Sequence, residues 1–365
     1  MNLFPELKKK YTKETLNARE AQRLAEFIAF GPVIFQTARI MLKLGIMDIL
    51  RDSDNGLTID EVAEKANISK YAAKCLLEAA LCIGIVLVNT KTDKFTISKT
   101  GWFLINDPAT RVNINFNHDV NYLGWFNLEE SLLEGKPVGL KTLGDWPTVY
   151  EGLSSLPKHI QDSWFGFDHF YSDNSFDQAL EIVFSNKPKT LLDVGGNTGR
   201  WALRCVGYDK DVNVTILDLP QQIGMMKENI KGHEGAERID GLGVNLLDES
   251  TEMPAERKFE AIWMSQFLDC FSEDQIISIL RRAAKVMNKD SRLYIMETLW
   301  DRQRFEPAAL CLTLTSLYFT AIANGNSKMY HSEDMERLIK EAGLEIETIH
   351  DYLGQGHSIM VCKLK

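Results

Sequence analysis

Lys189-Thr190-Leu191-Leu192-Asp193-Val194-Gly195-Gly196-Asn197-Thr198-Gly199 is a short apolar run that breaks into a glycine-rich turn, and residues 200–206 return to helical spacing. A strand that ends in glycines and opens a helix is the first unit of an open α/β sheet, which binds ligands beyond the carboxyl ends of its strands. Gly195 and Gly196 let the backbone come close to a ligand, and Gly199 permits tight packing of helix on strand. The spacing is not the dinucleotide fingerprint, because a GxGxxG counted from Gly195 needs glycine where the chain has Asn197 and Arg200. With no pyrophosphate to cradle, Asp193 at the strand end is placed to shape the loop and to meet a cationic or amino-acid group.

A second apolar strand, residues 212–217, ends in Asp218-Leu219-Pro220. A carboxylate at the tip of the second strand, about twenty residues beyond the glycine turn, is placed to accept both ribose hydroxyls of a nucleoside. Together the two motifs select a nucleoside-containing cofactor, without choosing between a methyl donor and NAD. The α/β rhythm continues with strands expected at residues 238–244, 259–265 and 292–299 and helices at 272–287, 307–323 and 332–342. Ser332 is the expected cap of the last helix and Gly343 its carboxyl-terminal stop. Strands at residues 345–352 and 357–363 flank Gly354-Gln355-Gly356 and read as a terminal hairpin.

Upstream, apolar residues recur at three and four from Leu24 to Leu44, interrupted near Gly31 and Pro32. Thr58 with Glu61 forms a capping box and Ser69 a second helix cap, and short strands at residues 87–89 and 94–97 surround a turn. Helix, turn, helix and hairpin make a winged helix. Its second helix offers only Lys70 and Lys74 to phosphate and no Arg, Asn or Gln to a base edge, so a dimerisation or substrate-lid role is expected before DNA binding. A winged-helix ligand-sensing regulator is the competing reading from a different functional class.

The chain has 365 residues, which favours more than one domain. The expected division is a helical and winged-helix domain at residues 1–110, a helical aromatic-rich segment at 111–186 and the cofactor domain at 187–365. In the middle segment, Trp164, Phe167 and Phe170 either wall an acceptor pocket or serve as core. A net charge of -10 argues against a nucleic-acid partner. Cys75, Cys82, Cys205, Cys270, Cys311 and Cys362 form no CxxC pair and are expected to be buried free thiols. No signal-peptide core and no uninterrupted apolar stretch of about 18 residues is present, so a cytoplasmic protein without a membrane partner is expected. No metal motif is present, and metal-independent chemistry is expected.

At residues 192–199, at Leu217-Asp218-Leu219-Pro220 and at Phe267-Leu268-Asp269-Cys270-Phe271-Ser272-Glu273-Asp274, the sequence resembles the plant-type O-methyltransferase family, which includes bacterial methylases of polyketide and aromatic metabolites. The likeness spans nearly the whole chain, including residues 132–137 (LLEGKP) and 338–343 (LIKEAG). It implies a class I methyltransferase Rossmann-like sheet with a terminal antiparallel hairpin, preceded by a winged-helix dimerisation domain. It also implies a homodimer through that domain, S-adenosyl-L-methionine as cofactor and a hydroxyl of a small aromatic or polyketide-like molecule as acceptor. By position, Gly195 and its neighbours approach the methionine part, Asp218 with Leu219 the ribose, and Asn245 with Leu246 the adenine, where relatives usually carry aspartate for Asn245. Ser265 and Gln266 line the cofactor from the fourth strand of the sheet.

One departure concerns the chemistry. Many relatives carry a catalytic histidine before an Asp-Trp pair; here that position is Asp269, followed by Cys270 and Phe271. Moving a proton from a phenol of pKa about 10 to an ordinary carboxylate of pKa about 4 is uphill by roughly 8 kcal/mol. Asp269 then orients the acceptor or takes its proton after burial has raised its pKa, a more acidic acceptor binds already ionised, His169 or His118 serves as base, or the scaffold carries C-methylation or another reaction. Glu297 and Asp301, near the end of the fifth strand, are candidate acceptor-side carboxylates.

Overall fold

The computed structural model describes every residue except Ala255. The chain divides into two compact units, Glu14–Asp119 and the combination of Met1–Lys13 with Val120–Lys365.

In the smaller unit, the helices Ala18–Ala29 and Gly31–Lys43 meet at a 72° bend, with Pro32 in the first turn of the second, where its missing N–H is harmless. Gly45, at φ +69°, turns the chain into Ile46–Arg51. Thr58 and Glu61 close their capping box at the start of Ile59–Lys65, and the Ser69 hydroxyl accepts the Ala72 N–H at the start of Lys70–Ile83. Strands β1 (Val86–Asn89) and β2 (Lys94–Ile97) pair antiparallel, with Phe95 bridged to Leu57. Met41, Met47, Leu50, Leu77, Val86 and Phe95 form the core of this winged helix. Leu24, Ile28, Phe30 and Val33 remain exposed on its first two helices. Cys75 and Cys82 are exposed rather than buried, because they fall on the outer face of Lys70–Ile83.

The larger unit is built on one seven-stranded sheet. Its strands are β3 (Thr190–Val194), β4 (Asn213–Asp218), β5 (Ile239–Gly243), β6 (Ala261–Ser265), β7 (Arg292–Glu297), β8 (Leu344–Leu353) and β9 (His357–Leu364), in the order β5-β4-β3-β6-β7-β9-β8. The first five are parallel, and β9 inserts antiparallel between β7 and β8. Parallel strands covered on both faces read as continuous apolar runs. Along β6, Ile262 and Met264 enter one apolar layer while Ala261 and Trp263 enter the other, where Trp263 stacks on Trp201 at 4.2 Å. The order reverses beside β3, so the ends of β3, β4 and β6 open onto the crevice where such sheets bind ligands.

The expected boundaries shift at three places. Met1–Lys13 belongs with the larger unit: the Phe4 N–H donates to the Asp301 carbonyl at 3.2 Å, the Phe4 ring lies under Arg302, and Leu7 is fully buried. Residues 111–119 belong with the smaller unit, and the aromatic-rich segment that follows packs as part of the larger one. The cap of Ser332–Glu341 is His331, whose Nδ1 accepts the Glu333 N–H, while Ser332 donates its hydroxyl to Asp301.

The helical run Glu306–Ala323 is long and apolar enough to cross a membrane by length and composition. Ala309, Leu312, Tyr318 and most of its final turn, Phe319–Ala323, are buried in the protein, while Leu310 and Leu314 are exposed.

Candidate active site

The glycine turn and the tip of β4 are one hydrogen-bonded structure. Gly195 donates its N–H to the Leu217 carbonyl at 2.8 Å, and Asn197, at φ +49°, donates its N–H to Asp218 Oδ2 at 2.7 Å. The Leu219 N–H donates to Asp218 Oδ1, also at 2.7 Å. Each carboxylate oxygen retains a second lone pair, so Asp218 is held in place and can still accept two hydroxyls. Gly196 admits no side chain: a Cβ there would lie 2.6 Å from Asp193 Oδ2 and 2.8 Å from Ile216 Cγ2. Gly195, at φ +76°, backs onto the Phe267 ring, and Gly199, at φ +80°, fits between Met226 and Ile230.

Asp193 is 2% exposed. Burial, and then the neighbouring charge of Asp218, push its pKa up to about 8. Burial likewise raises Asp218, opposed by its two backbone N–H donors. Beyond β5, Asn245 is exposed and its Oδ1 accepts the Leu247 N–H at 3.0 Å, which leaves the amide NH2 available. This turn is fastened from below by Arg282, whose guanidinium donates to the carbonyls of Leu246 at 2.7 Å, Thr251 at 2.9 Å and Asp248 at 3.3 Å.

Gln266 follows β6 in the left-handed region, at φ +45°. Its Oε1 faces His357 Nε2 at 2.9 Å, and His357 Nδ1 faces the Ser175 hydroxyl at 3.0 Å. Burial drives the His357 pKa down to about 3, so the ring is neutral; Nε2 carries the proton given to Gln266, and Nδ1 accepts from Ser175.

Glu297 ends β7. Its Oε1 accepts the N–H of Phe267 at 3.1 Å and of Leu268 at 2.8 Å, and burial together with Asp269 raises its pKa well above the carboxylate range. Asp269 is 5% exposed, and burial brings its pKa up to about 7; the Cys270 thiol donates to its Oδ1 at 3.5 Å. Asp301 takes no part here, since Ser332 occupies its oxygens through N–H and hydroxyl.

The helix Lys158–Asp173 carries the aromatic run. Trp164 Nε1 donates to Tyr318 Oη at 2.8 Å, and Phe167 and Phe170 pack half-buried against Tyr171. His169 stacks on Phe165, and burial and then Arg200 lower its pKa against the opposing pull of Asp173. Its neighbour Asp168 feels Asp269: burial, then Asp269 and Asp173, lift Asp168 to about 7, while Arg200 lowers it. Asp168 is surrounded by protein yet keeps 26% of its side-chain surface open, as a residue lining a cleft does. His118 belongs to the smaller unit, 2.7 Å from Asp119 Oδ1.

Sequence reading passed over Asp168, Tyr150, Cys270, Tyr318 and His357. Tyr150 and Tyr318 are pushed up by burial and by the charge of Asp269 among other neighbours. These residues come from separate elements and share no local spacing; the one available signal was the carboxyl of Asp168 inside the aromatic run.

Among the described residues, four buried polar atoms on the glycine turn and the ends of β3, β6 and β7 have no partner, Asp193 Oδ2, Asn197 Oδ1, Ser265 Oγ and Glu297 Oε2, and Tyr150 Oη has none either. Orphaned groups of this kind are costly unless a ligand satisfies them. Their chemistry fits a nucleoside bearing an amino acid and a cationic centre, because three of the four are good acceptors and two are carboxyls. No group of three or more His, Cys, Asp or Glu among the described residues is arranged to hold a metal.

Comparison with known proteins agrees with this geometry. Residues 22–95 match the Dimerisation2-like domain and residues 167–349 the Methyltransferase domain. The chain is 27% identical over 220 residues to norreticuline-7-O-methyltransferase of Papaver somniferum, covering 60% of this chain and 57% of that protein. Among solved structures it is similar to the mitomycin 7-O-methyltransferase MmcR, at TM-score 0.70 and 18% identity over 94% of this chain and 98% of that one. It is also similar to the O-methyltransferase NcsB1 from neocarzinostatin biosynthesis, solved with S-adenosylmethionine and 2-hydroxy-5-methyl naphthoic acid, at TM-score 0.67 and 17% identity over 91% and 96%.

Proposed function

Since the chain belongs to the methyltransferase-domain family, and within it to the plant-type O-methyltransferases, we propose that it transfers a methyl group from S-adenosylmethionine to a hydroxyl of a small aromatic or polyketide-like molecule. The observation that carries this reading is that Asp193, Asn197, Ser265 and Glu297, at or just beyond the ends of β3, β6 and β7, each leave a buried polar atom without a partner.

When bound, the cofactor supplies an electrophilic methyl on a sulfonium whose departure already drives the transfer. In our reading, Asp218 and Leu219 hold the ribose, Asn245 and Leu246 border the adenine, and Asp193 with Gly195, Gly196 and Gly199 receives the methionine end. Ser265 and Gln266 line the cofactor from β6. Trp164, Phe167 and Phe170 sandwich a flat acceptor, and holding its oxygen in line with the methyl carbon removes much of the barrier.

Asp269 is the proton acceptor. With its pKa near 7, taking a proton from a phenol of pKa about 10 is uphill by only about 4 kcal/mol, half the gap for an ordinary carboxylate. Glu297 holds the turn that carries Asp269. Burial and then Arg200 lower the His169 pKa, which favours its neutral form. We further propose a cytoplasmic homodimer formed through the winged-helix unit.

The test is incubation with isotopically labelled donor and a panel of phenols, enols and quinol precursors. Label transferred to oxygen supports the reading; donor binding with no methylated product from any of them, or label on carbon, counts against it.

A further inference from the structure

Resting on the reading that the methyl donor binds at the carboxyl end of the sheet, a positioning role follows for two buried residues that stand behind Gln266. Ser175 lies between the aromatic helix Lys158–Asp173 and the next helix, Phe176–Val183, and His357 opens β9; both are fully buried. The turn that leads into His357 is held from two sides. Gly354 donates its N–H to Gln178 Oε1 at 2.9 Å, and Gln303 Nε2 donates to the carbonyls of Gly356 at 2.8 Å and Leu299 at 2.9 Å. A Cβ on Gly354 would run into Ser175 Oγ, so the turn packs directly on that hydroxyl. The imidazole then has one neighbour at each nitrogen: Ser175 Oγ is 3.0 Å from Nδ1 and Gln266 Oε1 is 2.9 Å from Nε2.

The direction of this chain is set by which groups must be satisfied. Among the described residues, neither the Ser175 hydroxyl nor the Gln266 carboxamide has another partner. Were Nδ1 to carry the ring proton, the hydroxyl hydrogen of Ser175 would be buried without an acceptor, which is costly. With the proton on Nε2, Ser175 donates to Nδ1, Nε2 donates to Gln266 Oε1, and both buried residues are satisfied. The carboxamide of Gln266 is thereby held by its oxygen, and its NH2 is the end left free. Gln266 itself is half-buried and keeps φ at +45°, uncommon for a residue with a side chain, while its N–H donates to the Met296 carbonyl at 2.9 Å.

A free donor at this place answers a need of the ligand. β3 and β6 run side by side up to Val194 and Met264, so the glycine turn and residues 265–267 leave the sheet next to each other, and the Phe267 ring lies against Gly195. The orphaned Asp193 Oδ2, Asn197 Oδ1 and Glu297 Oε2 are acceptors, suited to cationic and hydroxyl groups of the ligand. The carboxylate of an amino acid needs donors instead. We propose that Ser175 and His357 are positioning residues that hold the Gln266 amide by its oxygen, so that its NH2 donates to the carboxylate at the methionine end of the methyl donor. Gln266 then favours nucleosides that carry an amino acid over those that lack one. Ser175 and His357 act only through it.

Calorimetric titration of the whole protein with two ligands tests this: the demethylated product, which carries the amino acid, and methylthioadenosine, which does not. Gln266→Met should weaken the first about tenfold or more, on the scale of one hydrogen bond to a charged group, and leave the second within about twofold. His357→Phe frees the amide to turn and should weaken the first about threefold or more with the same selectivity, and Ser175→Ala repeats the test should that variant fail to fold. His357→Gln keeps an N–H donor for Gln266 Oε1 and should recover most of the loss. Nitrogen NMR of the ligand-free protein should find the His357 ring proton on Nε2. A proton on Nδ1, equal weakening of both ligands, or full affinity in either Gln266→Met or His357→Phe overturns the proposal; full affinity in Gln266→Met would move the carboxylate to another donor, such as Arg200. Failure of the demethylated product to bind the native protein would instead defeat the methyltransferase reading, and this proposal with it.

Discussion

The carboxyl of Glu297 accepts the backbone N–H of Leu268 at 2.8 Å. A side chain at the end of β7 thereby holds the turn that follows β6, and with it Asp269. A buried and a part-buried donor depend on one oxygen, because the Phe267 N–H reaches the same atom at 3.1 Å.

Glu297→Ala should therefore be about 2–4 kcal/mol less stable than the native protein, since each orphaned buried donor costs about 1–3 kcal/mol. Glu297→Gln keeps an acceptor at the same place and should lose less than half as much. Urea denaturation of the two variants decides the matter; equal losses would mean that the clamp contributes little.

Asp218 orders the glycine turn and is the proposed ribose ligand. Asp218→Ala should weaken binding of the demethylated cofactor by 30-fold or more, on the scale of about 2 kcal/mol for hydrogen bonds to a charged group. Titration calorimetry reads this directly, and an unchanged Kd would remove Asp218 from the cofactor site.

Asp193 gives a pH signature. Its folded pKa, about 8, lies above the unfolded value of 3.8, so the folded state holds a proton that the unfolded chain releases. The native protein is then free of this penalty below about pH 4, and stability falls as pH rises toward 8. Asp193→Asn removes the titration, so the cofactor-free variant should gain on the native protein between pH 5 and pH 8, by at most about 4 kcal/mol at about 1.4 kcal/mol per unit. Thermal melts at the two pH values test this; a gain that did not grow with pH would contradict the raised value.

Arg282 should govern the mobility of the turn at residues 245–251. Lysine offers a compact point charge in place of a planar fork and cannot span the same three carbonyls. Arg282→Lys should cost about 2 kcal/mol and speed amide exchange in that turn at least tenfold, with weaker cofactor binding. Unaltered exchange there would show that the turn holds itself.

The exposed Leu24, Ile28, Phe30 and Val33 on the first two helices of the winged-helix unit make an apolar face that a second copy would cover. Light scattering should give about twice the 41.5 kDa chain mass, and Ile28→Glu should shift it toward the monomer. A monomeric native protein at micromolar concentration would end the dimer proposal.

How legible the site was varied with the range of the contacts. The glycine turn, the Asp218 tip and the Thr58 and Ser69 caps were readable because each is a local backbone requirement set by neighbours in sequence. The cap at His331 was missed for the opposite reason: Ser332 is a better local cap, but Asp301, 31 residues away, claims its hydroxyl. His357 gave no sign of supporting Gln266, since the pairing joins β9 to the end of β6.

What residue order alone determined was the alternation of buried strands and amphipathic helices and the positions of the glycine turn after β3 and of the carboxylate at the tip of β4. Those features depend on periodicity and on short-range steric demands. Only the tertiary structure decided that Asp168, rather than His169, shares the electrostatics of Asp269, and that Asp269 titrates near neutrality. Adjacent residues on a helix point about 100° apart, and a carboxyl's ionisation is set by the low-dielectric packing around it; both follow from how distant segments meet.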